Sequence, residues 1–512
     1  MVLTREDRLS SCYWDVGGSA AVATSDHFAT AAAVATLRAG GSAIDALIAA
    51  AAVQCVVENG STTVAGMWIS TSYDAESGQT TVVSSKIGPA EAEPYDYGIE
   101  SPEAYSGRAM PVPAWVAGAH RAWELGGRLP WPDLFEAAIA LAQEGFDLYP
   151  EQYLRLRMGV TATRTAEGRA VWMRDGRNLQ VGERVRQPAL ARTLRALADG
   201  GPAAFYEGEF ARNYVATAQE LGGRLTMADM ARWRERATVH PLPLVGDYCG
   251  YQVGTDGALM VYALHLCQAA GIGSLDDAEA VYAQVRIMEE TFHATRQYSP
   301  ATHDQFVDRG YAESRINEVL TGPVRPTSFD LFWSNTNTIV VRDGAGNATW
   351  LTHSVNTPQL FGAGIMVDGA YAARAINATH ARTGDLLMPG LHIKLALYRD
   401  GKPYSVATSP GFSGVHAPIA FTVGLVQRNL NPLAAVAAPR FALPSPMTGN
   451  RPPFESHYPR SVFAMLESRG MPYFKCSPMS GTGRVSALVI EDERVHAVHD
   501  VRGEGTAAAL AI

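Results

Sequence analysis

Hydroxyl side chains recur between residues 333 and 356, in the stretch WSNTNTIVVRDGAGNATWLTHSVN. Two strand-like runs, residues 338–342 and 348–355, flank Asp343-Gly-Ala-Gly-Asn347, which is a strong β-hairpin signal. A hairpin centred on Ala345 places Thr336 opposite Ser354. The same pairing places Thr338 opposite Thr352, with Asn356 just beyond the paired strands.

A threonine hydroxyl can attack a carbonyl carbon when a base lies close enough to take its proton. Two facing hydroxyls at the end of a two-stranded ribbon are compatible with such a nucleophile. Taken alone, however, the pattern is more typical of an ordinary strand, because threonine is common in strands.

Other signatures of chemistry are missing from the sequence. It contains no Walker A, HExxH, GxSxG, EF-hand or kinase motif. The 13 histidines include no pair four residues apart, and the 5 cysteines form no CxxC pair. We therefore expect no metal, no cofactor and a reducing compartment.

The composition excludes several classes of protein. The chain has 512 residues, 47% hydrophobic and 18% charged, with a net charge of −9. Such a chain is globular, and its charge argues against binding nucleic acid or an anionic membrane. Charges near the N-terminus exclude a secretory signal peptide, and the apolar run at residues 46–53 is too short to span a bilayer. We expect a cytoplasmic protein.

The elements that must position these residues can be read from periodicity. Residues 42–57 predict a buried helix that begins at Ser42 and is capped with Asp45. Residues 67–73 and 80–85 predict a hairpin. From about 129 to 316 the pattern is helical, including residues 133–143, 188–198, 264–268 and 281–295.

From residue 335 onward, strands dominate. Besides the hairpin described above, residues 393–398 pair with 404–408, and residues 486–490 with 495–500. A helical block beside a strand-rich block predicts an α+β or layered architecture and not a doubly wound sheet.

Short motifs along nearly the whole chain resemble the γ-glutamyltransferases (γ-glutamyltranspeptidases), which are N-terminal-nucleophile (Ntn) hydrolases. The motifs of the first part are Ala23-Thr-Ser, Leu37-Arg-Ala-Gly-Gly-Ser-Ala-Ile-Asp-Ala46, Met110-Pro-Val-Pro-Ala-Trp-Val-Ala-Gly118, Phe205-Tyr-Glu-Gly208 and Gly222-Gly-Arg-Leu-Thr226. Those of the second part are residues 336–356, Phe361-Gly-Ala-Gly-Ile365, Ser409-Pro-Gly411, Ala438-Pro-Arg-Phe441 and Asp500-Val-Arg502.

The resemblance implies a four-layer αββα sandwich with antiparallel sheets, made as one chain that cuts itself before a threonine. The nucleophile falls on Thr336, its supporting hydroxyl on Ser354 and a site asparagine on Asn356. Residues 1–335 would form the large subunit and residues 336–512 the small one, together one domain. Thr338 is the second choice for the nucleophile and Asn335 a remote third. The freed α-amine, with a pKa of about 7.7–8.0, would serve as the base.

The resemblance also implies a set of contacts to the substrate. Backbone N–H groups of Gly411 and Phe412, in a turn that begins at Ser409, would form the oxyanion hole. Lys86 stands where relatives carry a carboxylate-binding arginine. A lysine offers a point charge in place of the bidentate guanidinium of that arginine. Asn377 and His380 lie near the position of the aspartate that holds the substrate amino group in relatives, and His353 is a further candidate. A Ser-Ser pair of relatives is replaced by Gly390-Leu391.

The residues that the resemblance implies for self-cleavage are therefore retained, whereas those that it implies for contacts to a glutamyl group are replaced. The leading hypothesis is an Ntn hydrolase of natural-product biosynthesis that hydrolyses a C–C bond of a small molecule and removes an oxalyl unit, as in a divergent branch of the family from alkylproline antibiotic pathways. The alternatives are a γ-glutamyl transferase or hydrolase, an amide acylase, and an uncleaved inactive scaffold. The expected partners are the substrate and the two subunits of the precursor; a homo-oligomer is left open.

Overall fold

The computed structural model describes residues 13–58, 60–94, 101–157, 159, 163–325, 336–355, 363–374, 390–410, 414–444, 449–477, 483–491 and 494–512. In chain order, the strands are β1 Trp14–Val16, β2 Ala20–Thr24, β3 Met67–Tyr73, β4 Thr80–Ser85, β5 Phe146–Asp147, β6 Met173–Arg174, β7 Arg177–Asn178, β8 Arg184–Val185, β9 Ala237–Pro241, β10 Leu244–Tyr248, β11 Tyr251–Gly254, β12 Thr336–Arg342, β13 Ala348–Ser354, β14 Met366–Val367, β15 Ala370–Tyr371, β16 Lys394–Arg399, β17 Lys402–Thr408, β18 Pro453–Glu455, β19 Phe474–Cys476, β20 Ser486–Glu491, β21 Arg494–His499 and β22 Thr506–Leu510.

The α-helices are α1 His27–Arg38, α2 Ala43–Val57, α3 Trp115–Gly126, α4 Glu136–Glu144, α5 Pro150–Arg157, α6 Ala166–Trp172, α7 Pro188–Tyr206, α8 Glu209–Glu220, α9 Met227–Ala231, α10 Ala258–Ala269, α11 Asp277–Ala294, α12 His303–Val307, α13 Arg309–Thr321, α14 His416–Val426, α15 Pro432–Ala437 and α16 Arg460–Ser468. Among the described residues, no helix combines the length and the apolar character that crossing a bilayer requires.

Two seven-stranded antiparallel sheets form the centre of the molecule. Sheet I has the order β22-β2-β12-β13-β3-β4-β9, and sheet II has the order β1-β21-β20-β17-β16-β11-β10. Their inner faces share one buried apolar cluster, in which Trp350 and Val340 of sheet I meet Leu488, Val406 and Tyr398 of sheet II. Alternate residues of each strand point to opposite faces, so this cluster identifies which side chains lie between the sheets.

Helices cover the outer face of each sheet. Helices α1 to α4, α7 and α8 pack on sheet I in one apolar cluster. Helices α10, α11, α13, α14 and α16 pack on sheet II, where α14 and α15 also contribute a smaller cluster. The four layers confirm the αββα sandwich expected from the resemblance, with both sheets antiparallel.

The predicted helices agree with the structure in place but not always in extent. Helix α2 begins after Ser42, whose side chain and that of Asp45 form the predicted capping box. Residues 133–143 are split between a 3₁₀ turn, Trp131–Phe135, and α4. Helix α7 continues beyond residue 198 to Tyr206, with a kink at Gly201, where φ is +63°.

The predicted hairpins coincide with β3–β4, β12–β13, β16–β17 and β20–β21. The prediction of one helical block from 129 to 316 is wrong, because β9, β10 and β11 interrupt it and supply edge strands to both sheets. Many side chains of β9 and β10 are exposed, so they lack the apolar alternation that marks a half-buried strand.

One carboxylate connects the β12–β13 turn to the helix layer. Asp343 is buried and accepts hydrogen bonds from the backbone N–H groups of Ala345 and Asn347, each at 3.0 Å. Its second oxygen accepts a bond from the Ala43 N–H at 3.1 Å, at the N-terminus of α2. The helix dipole favours a negative charge there, so this contact stabilises both the turn and the helix.

Replacing this carboxylate therefore tests how the hairpin is held. We expect Asp343→Ala to lower the free energy of unfolding by about 2–4 kcal/mol, because the backbone N–H groups of Ala43, Ala345 and Asn347 lose their acceptor, and the contact with Ala43 is buried. Chemical denaturation measures the change. The control is Asp74→Ala in the neighbouring β3–β4 hairpin, whose exposed carboxylate accepts bonds within its own turn. Equal losses in the two variants would contradict the proposed link to α2.

Candidate functional site

Thr336 is the first residue of β12 and lies directly opposite Ser354, the last residue of β13. The Thr336 hydroxyl donates a hydrogen bond to Ser354 Oγ at 3.1 Å, and both side chains are buried. Both share the inner face of sheet I with Val340 and Trp350, so the two hydroxyls lie between the sheets, at the ends of β12 and β13. The hairpin register predicted from the sequence is confirmed.

A close backbone approach supports the Ser354 end of this pair. Gly66, before β3, lies so near that a Cβ atom on it would be 2.3 Å from the Ser354 carbonyl oxygen. The next residue, Val355, donates its N–H to the Ser61 carbonyl oxygen at 3.0 Å. The loop after α2 therefore fixes where β13 ends.

Asn337 fixes the backbone at Thr336 from the helix side of sheet I. In the amide orientation that satisfies its neighbours, the Asn337 nitrogen donates to the Thr336 carbonyl oxygen at 3.1 Å and to Glu58 Oε2 at 3.0 Å. Glu58 caps the C-terminus of α2 and is buried. The side-chain amide of Asn337 thus connects the carboxyl group of Glu58 to the backbone of Thr336, the candidate nucleophile.

Glu58 belongs to a buried group of opposite charges. Arg155 lies 3.6 Å from Glu58 and 2.8 Å from Glu151, and it also donates to the Ser61 hydroxyl. Burial raises the pKa of Glu58 to about 8, although Arg155 opposes the shift. Burial alone would also raise the pKa of Glu151, but Arg484 and Arg155 together hold it at about 2. One carboxylate is therefore firmly charged, and the other retains a proton near neutral pH.

Thr338, the second choice for the nucleophile, lies one layer deeper. Its hydroxyl is fully buried and lies 2.9 Å from Ser486 Oγ of sheet II. Ser486 Oγ is in turn 3.0 Å from Nδ1 of His499, whose pKa burial lowers to about 4. This hydroxyl thus takes part in a hydrogen-bonded link between the sheets.

His353 faces the opposite side of sheet I. Its Nδ1 accepts a hydrogen bond from Trp115 Nε1 at 3.0 Å, so the proton lies on Nε2, which is 2.6 Å from Gln54 Oε1. Burial lowers the pKa of His353 to about 3. A neutral, fully bonded imidazole in the helix layer fits a structural role and not substrate binding, which corrects the expectation for this residue.

Two further predicted residues are described by the structure. Ser409 follows β17 and is buried. Its Oγ lies against Gly414, where an added Cβ atom would be 2.3 Å from Ser409 Oγ. Lys86 follows β4 and is exposed at the same end of sheet I as Thr336. Asn335, Asn356, Asn377, His380, Gly411 and Phe412 lie outside the described residues, so their predicted roles stay predictions.

Lys394 is a residue of this region that the sequence analysis missed. It begins β16, is buried, and donates from Nζ to the Ile69 carbonyl oxygen at 3.2 Å and to Thr71 Oγ1 at 3.1 Å, both in β3. Burial lowers the pKa of Lys394 to about 7, with Asp256 opposing the shift. The sequence signal that could have identified Lys394 is a charged residue between Ile393 and Leu395, within a strand-like pattern.

Lys394 also belongs to a polar row across sheet II. It pairs with Thr408, Thr408 pairs with Ser486, and Ser486 pairs with His499. Because residues in register on adjacent strands point to the same face, these side chains form one layer between the sheets, where Ser486 contacts Thr338. Within the described residues, no cluster of His, Cys, Asp and Glu has the arrangement of a metal site.

The pH dependence of stability tests the buried Glu58 carboxyl. Its pKa in the folded protein, about 8, is above the ordinary value of 4.5. The folded state therefore holds the extra proton between these values and loses stability as pH rises through that window. We expect Glu58→Gln, which stays neutral, to reduce the loss between about pH 5 and about pH 9 by roughly 1–3 kcal/mol.

Denaturant unfolding at several pH values measures this change. Because Glu504 in the same region also has a pKa raised by burial, to about 7, part of the dependence will remain. The exposed Glu220→Gln is the control and should leave the profile unchanged. A steeper or identical profile in Glu58→Gln would show that Glu58 is charged in the folded protein.

Comparisons with known proteins give a consistent result. Residues 29–370 match the sequence model of the gamma-glutamyltranspeptidase family. Glutathione hydrolase 2 of Arabidopsis thaliana is 26% identical over 531 residues, covering 92% of this chain and 89% of that protein. Glutathione hydrolase 3 of the same plant is 28% identical over 370 residues, covering 67% of this chain and 57% of that protein.

Two solved structures share the fold over the whole chain. A cephalosporin acylase from Bacillus halodurans superposes with a TM-score of 0.81 at 22% identity, covering 97% of each chain. LmbA2991 superposes with a TM-score of 0.79 at 20% identity, covering 100% of each chain. At these identities the likeness establishes the architecture alone.

Proposed function

Because the chain belongs to the gamma-glutamyltranspeptidase family, we propose that it is an autoprocessing Ntn hydrolase with Thr336 as its nucleophile. The observation that carries the proposal is the 3.1 Å hydrogen bond from Thr336 Oγ1 to Ser354 Oγ at the ends of β12 and β13. Thr338 supports it less well, since its hydroxyl lies deeper and contacts Ser486 of the other sheet.

Autoprocessing would proceed by attack of the Thr336 hydroxyl on the carbonyl carbon of residue 335. The peptide C–N bond breaks, an ester forms on Oγ1, and the nitrogen becomes the free α-amine of Thr336. Water then hydrolyses the ester, which releases the carboxylate of residue 335 and restores the hydroxyl. The products are a large subunit of 335 residues and a small one of 177.

The same groups would act on substrate. The free α-amine takes the hydroxyl proton while Oγ1 bonds to the substrate carbonyl carbon, and the leaving group takes that proton as it departs. Water hydrolyses the resulting ester. Backbone N–H groups of Gly411 and Phe412 are our candidates for binding the oxyanion, and Asn356 for supporting Thr336 beside Ser354.

Removing the nucleophile tests the first step. We expect purified protein to separate into two fragments on a denaturing gel, and Thr336→Ala to leave a single chain of 54.9 kDa. Intact mass should locate the cut before Thr336. The matched control is Thr338→Ser, which keeps the hydroxyl that contacts Ser486 and should still be cleaved. A single chain in the unmutated protein would favour the inactive scaffold.

For the substrate, we propose a small molecule of natural-product biosynthesis from which an oxalyl unit is removed. Thr336 Oγ1 attacks the keto carbon of the oxalyl group, and the bond from that carbon to the adjacent carbon breaks, which leaves an oxalyl ester on Thr336. The adjacent carbon leaves as an enolate and takes a proton, and water hydrolyses the ester, so the products are oxalate and the shortened molecule. Support comes from Lys86, a single charge at the position where the resemblance to the family implies an arginine fork.

A 2,4-dioxo acid such as acetopyruvate provides the minimal substrate for this reaction. We expect oxalate release, measured by NMR, that Thr336→Ala reduces by roughly a thousandfold or more. The competing candidate, a γ-glutamyl transferase or hydrolase, is favoured by the names of the glutathione hydrolase relatives. Release of p-nitroaniline from γ-glutamyl-p-nitroanilide without oxalate release would favour that candidate instead.

A further inference from the structure

Successive residues of β12 direct their backbone groups to different neighbours. The Asp343 N–H donates to the Asn347 carbonyl oxygen at 3.0 Å, on the β13 side. The Ser25 N–H donates to the Thr338 carbonyl oxygen at 3.3 Å, on the β2 side. Because the side alternates from residue to residue along a strand, the even-numbered residues of β12 face β2. The nitrogen and the carbonyl oxygen of Thr336 therefore both point away from β13.

β2 ends before it reaches Thr336. The register of β12 with β2 ends at the pair Ile339–Thr24. The chain leaves the sheet at Asp26, which caps the N-terminus of α1. Within the described residues, Thr336 thus pairs with a strand on its β13 side alone. After self-cleavage it would also be a chain terminus, and termini are poorly ordered unless contacts hold them.

The side chain of Asn337 bonds to the Thr336 carbonyl oxygen in place of a strand. Its nitrogen donates to that oxygen at 3.1 Å and to Glu58 Oε2 at 3.0 Å. Asn337 and Glu58 are both buried, so water does not compete for either bond. Arg155 Nη2 lies 3.6 Å from the same Oε2. Two donors thus converge on one oxygen of Glu58, which fixes the carboxyl group that in turn orients the amide.

Thr336 is therefore held at two of its atoms. Its hydroxyl donates to Ser354 Oγ at 3.1 Å between the sheets, and its carbonyl oxygen accepts from Asn337 on the helix side. Fixing these two atoms also fixes the direction of the Thr336 nitrogen, which belongs to the bond that self-cleavage breaks. Attack needs the hydroxyl oxygen aligned with the target carbon at about 3–3.5 Å, and a misplacement of about 1 Å can lower the rate roughly a hundredfold.

We infer that Glu58 and Asn337 are positioning residues, which hold the Thr336 carbonyl so that the hydroxyl is aligned for attack on the peptide bond before Thr336. The inference rests on the proposed function, since it assumes that this bond is cut. Asn337 acts through the Thr336 carbonyl, and Glu58 acts through Asn337. The pair takes over the part that β2 plays for the residues deeper in β12.

The charge state of Glu58 decides which side chain can replace it. Burial raises the pKa of Glu58 to about 8, with Arg155 as the main opposing charge. Near neutral pH the group is thus an uncharged acid that accepts a bond from Asn337. Glutamine is uncharged, has nearly the same shape and keeps a carbonyl oxygen for both donors. Leucine keeps the approximate volume and removes the acceptor.

The rate of self-cleavage tests the inference. The precursor is made by cell-free translation with a short pulse of labelled methionine, and loss of the 54.9 kDa chain is followed on a denaturing gel. We expect Glu58→Leu and Asn337→Leu each to slow cleavage about tenfold or more. Glu58→Gln should cleave within about threefold of the unmutated rate, since it keeps the acceptor. The double variant Glu58→Leu/Asn337→Leu should be no slower than the slower single variant, because both remove one contact.

Glu504→Leu is the matched control. Glu504 is a carboxyl of the same region, and burial raises its pKa to about 7, but its oxygen accepts from the Glu151 N–H at 3.3 Å. It should cleave within about twofold of the unmutated rate, because Thr336 is not displaced.

The inference is overturned if Glu58→Leu or Asn337→Leu cleaves at the unmutated rate, if Glu58→Gln is as slow as Glu58→Leu, or if Glu504→Leu is slowed equally. Thermal unfolding verifies that each variant is folded. Where leucine prevents folding, Glu58→Ala and Asn337→Ala, which also lack the contact, take its place and are judged by the same outcomes.

A carbon NMR signal reports the contact to the Thr336 carbonyl independently of cleavage. Thr336-Asn337 is the single Thr-Asn pair in the sequence. Labelling threonine with ¹³C at the carbonyl and asparagine with ¹⁵N therefore yields one correlated signal, that of the Thr336 carbonyl. We expect Glu58→Leu to move this signal upfield, as a carbonyl does when it loses a hydrogen bond, and Glu58→Gln to leave it in place. An unmoved signal in Glu58→Leu would overturn the inference.

The outcomes separate this inference from the proposed function. A precursor that stays intact, while its Thr336 carbonyl signal responds to Glu58→Leu, would overturn the function and retain the contact. Cleavage that Thr336→Ala abolishes, but that neither Glu58→Leu nor Asn337→Leu slows, would retain the function and overturn the inference.

Discussion

The pairing of β12 with β13 is the constraint on which the rest of the candidate site depends. Seven residue pairs, from Thr336–Ser354 to Arg342–Ala348, fix the register without interruption. A slip of one residue would turn Thr336 towards the helices and place a neighbouring asparagine opposite Ser354. The turn that sets this register is held by Asp343, which also binds the N-terminus of α2. One buried carboxylate thus links the hairpin, the helix layer and the two hydroxyls.

The surroundings of Thr336 differ sharply on the two sides of sheet I. Towards the helices, Asn337 connects the Thr336 carbonyl to Glu58 and its arginine partner. Towards sheet II, the neighbouring layer contains Thr338, Ser486 and His499 in a hydrogen-bonded link. Burying so many polar groups lowers stability unless each finds a partner, so their concentration here is more typical of a functional region than of a packing core.

Charge is also distributed unevenly along the end of sheet I at which Thr336 and Lys86 lie. Near Thr336, Arg155 and Arg484 both pair with the charged carboxylate of Glu151. At the β4–β9 edge, Lys86 and Arg236 are without such partners among the described residues, and buried Lys394 lies on the facing wall. Members of one fold family can differ in substrate through such edge residues while the sheets that hold the nucleophile stay the same.

The sequence by itself determined the local elements and the hairpin geometry. The turn sequence Asp343-Gly-Ala-Gly-Asn347 between two strand-like runs was enough to predict that Thr336 faces Ser354, because register within a hairpin depends on the turn and on neighbours in the chain. Helix α2 was likewise predicted from Ser42 and Asp45, whose capping contacts span three residues. The αββα layering followed from motif resemblance and not from periodicity.

Only the tertiary structure decided what lies around these elements. β9 and β10 escaped the sequence patterns because, as edge strands, they are exposed on much of their surface. β9 is in addition paired by β4, which is distant in the chain. The contacts of Glu58 with Asn337, of Lys394 with β3, and of Arg236 with Gly88 join residues far apart in the chain. Burial and charge at such positions depend on the packing of whole layers, which no local spacing encodes.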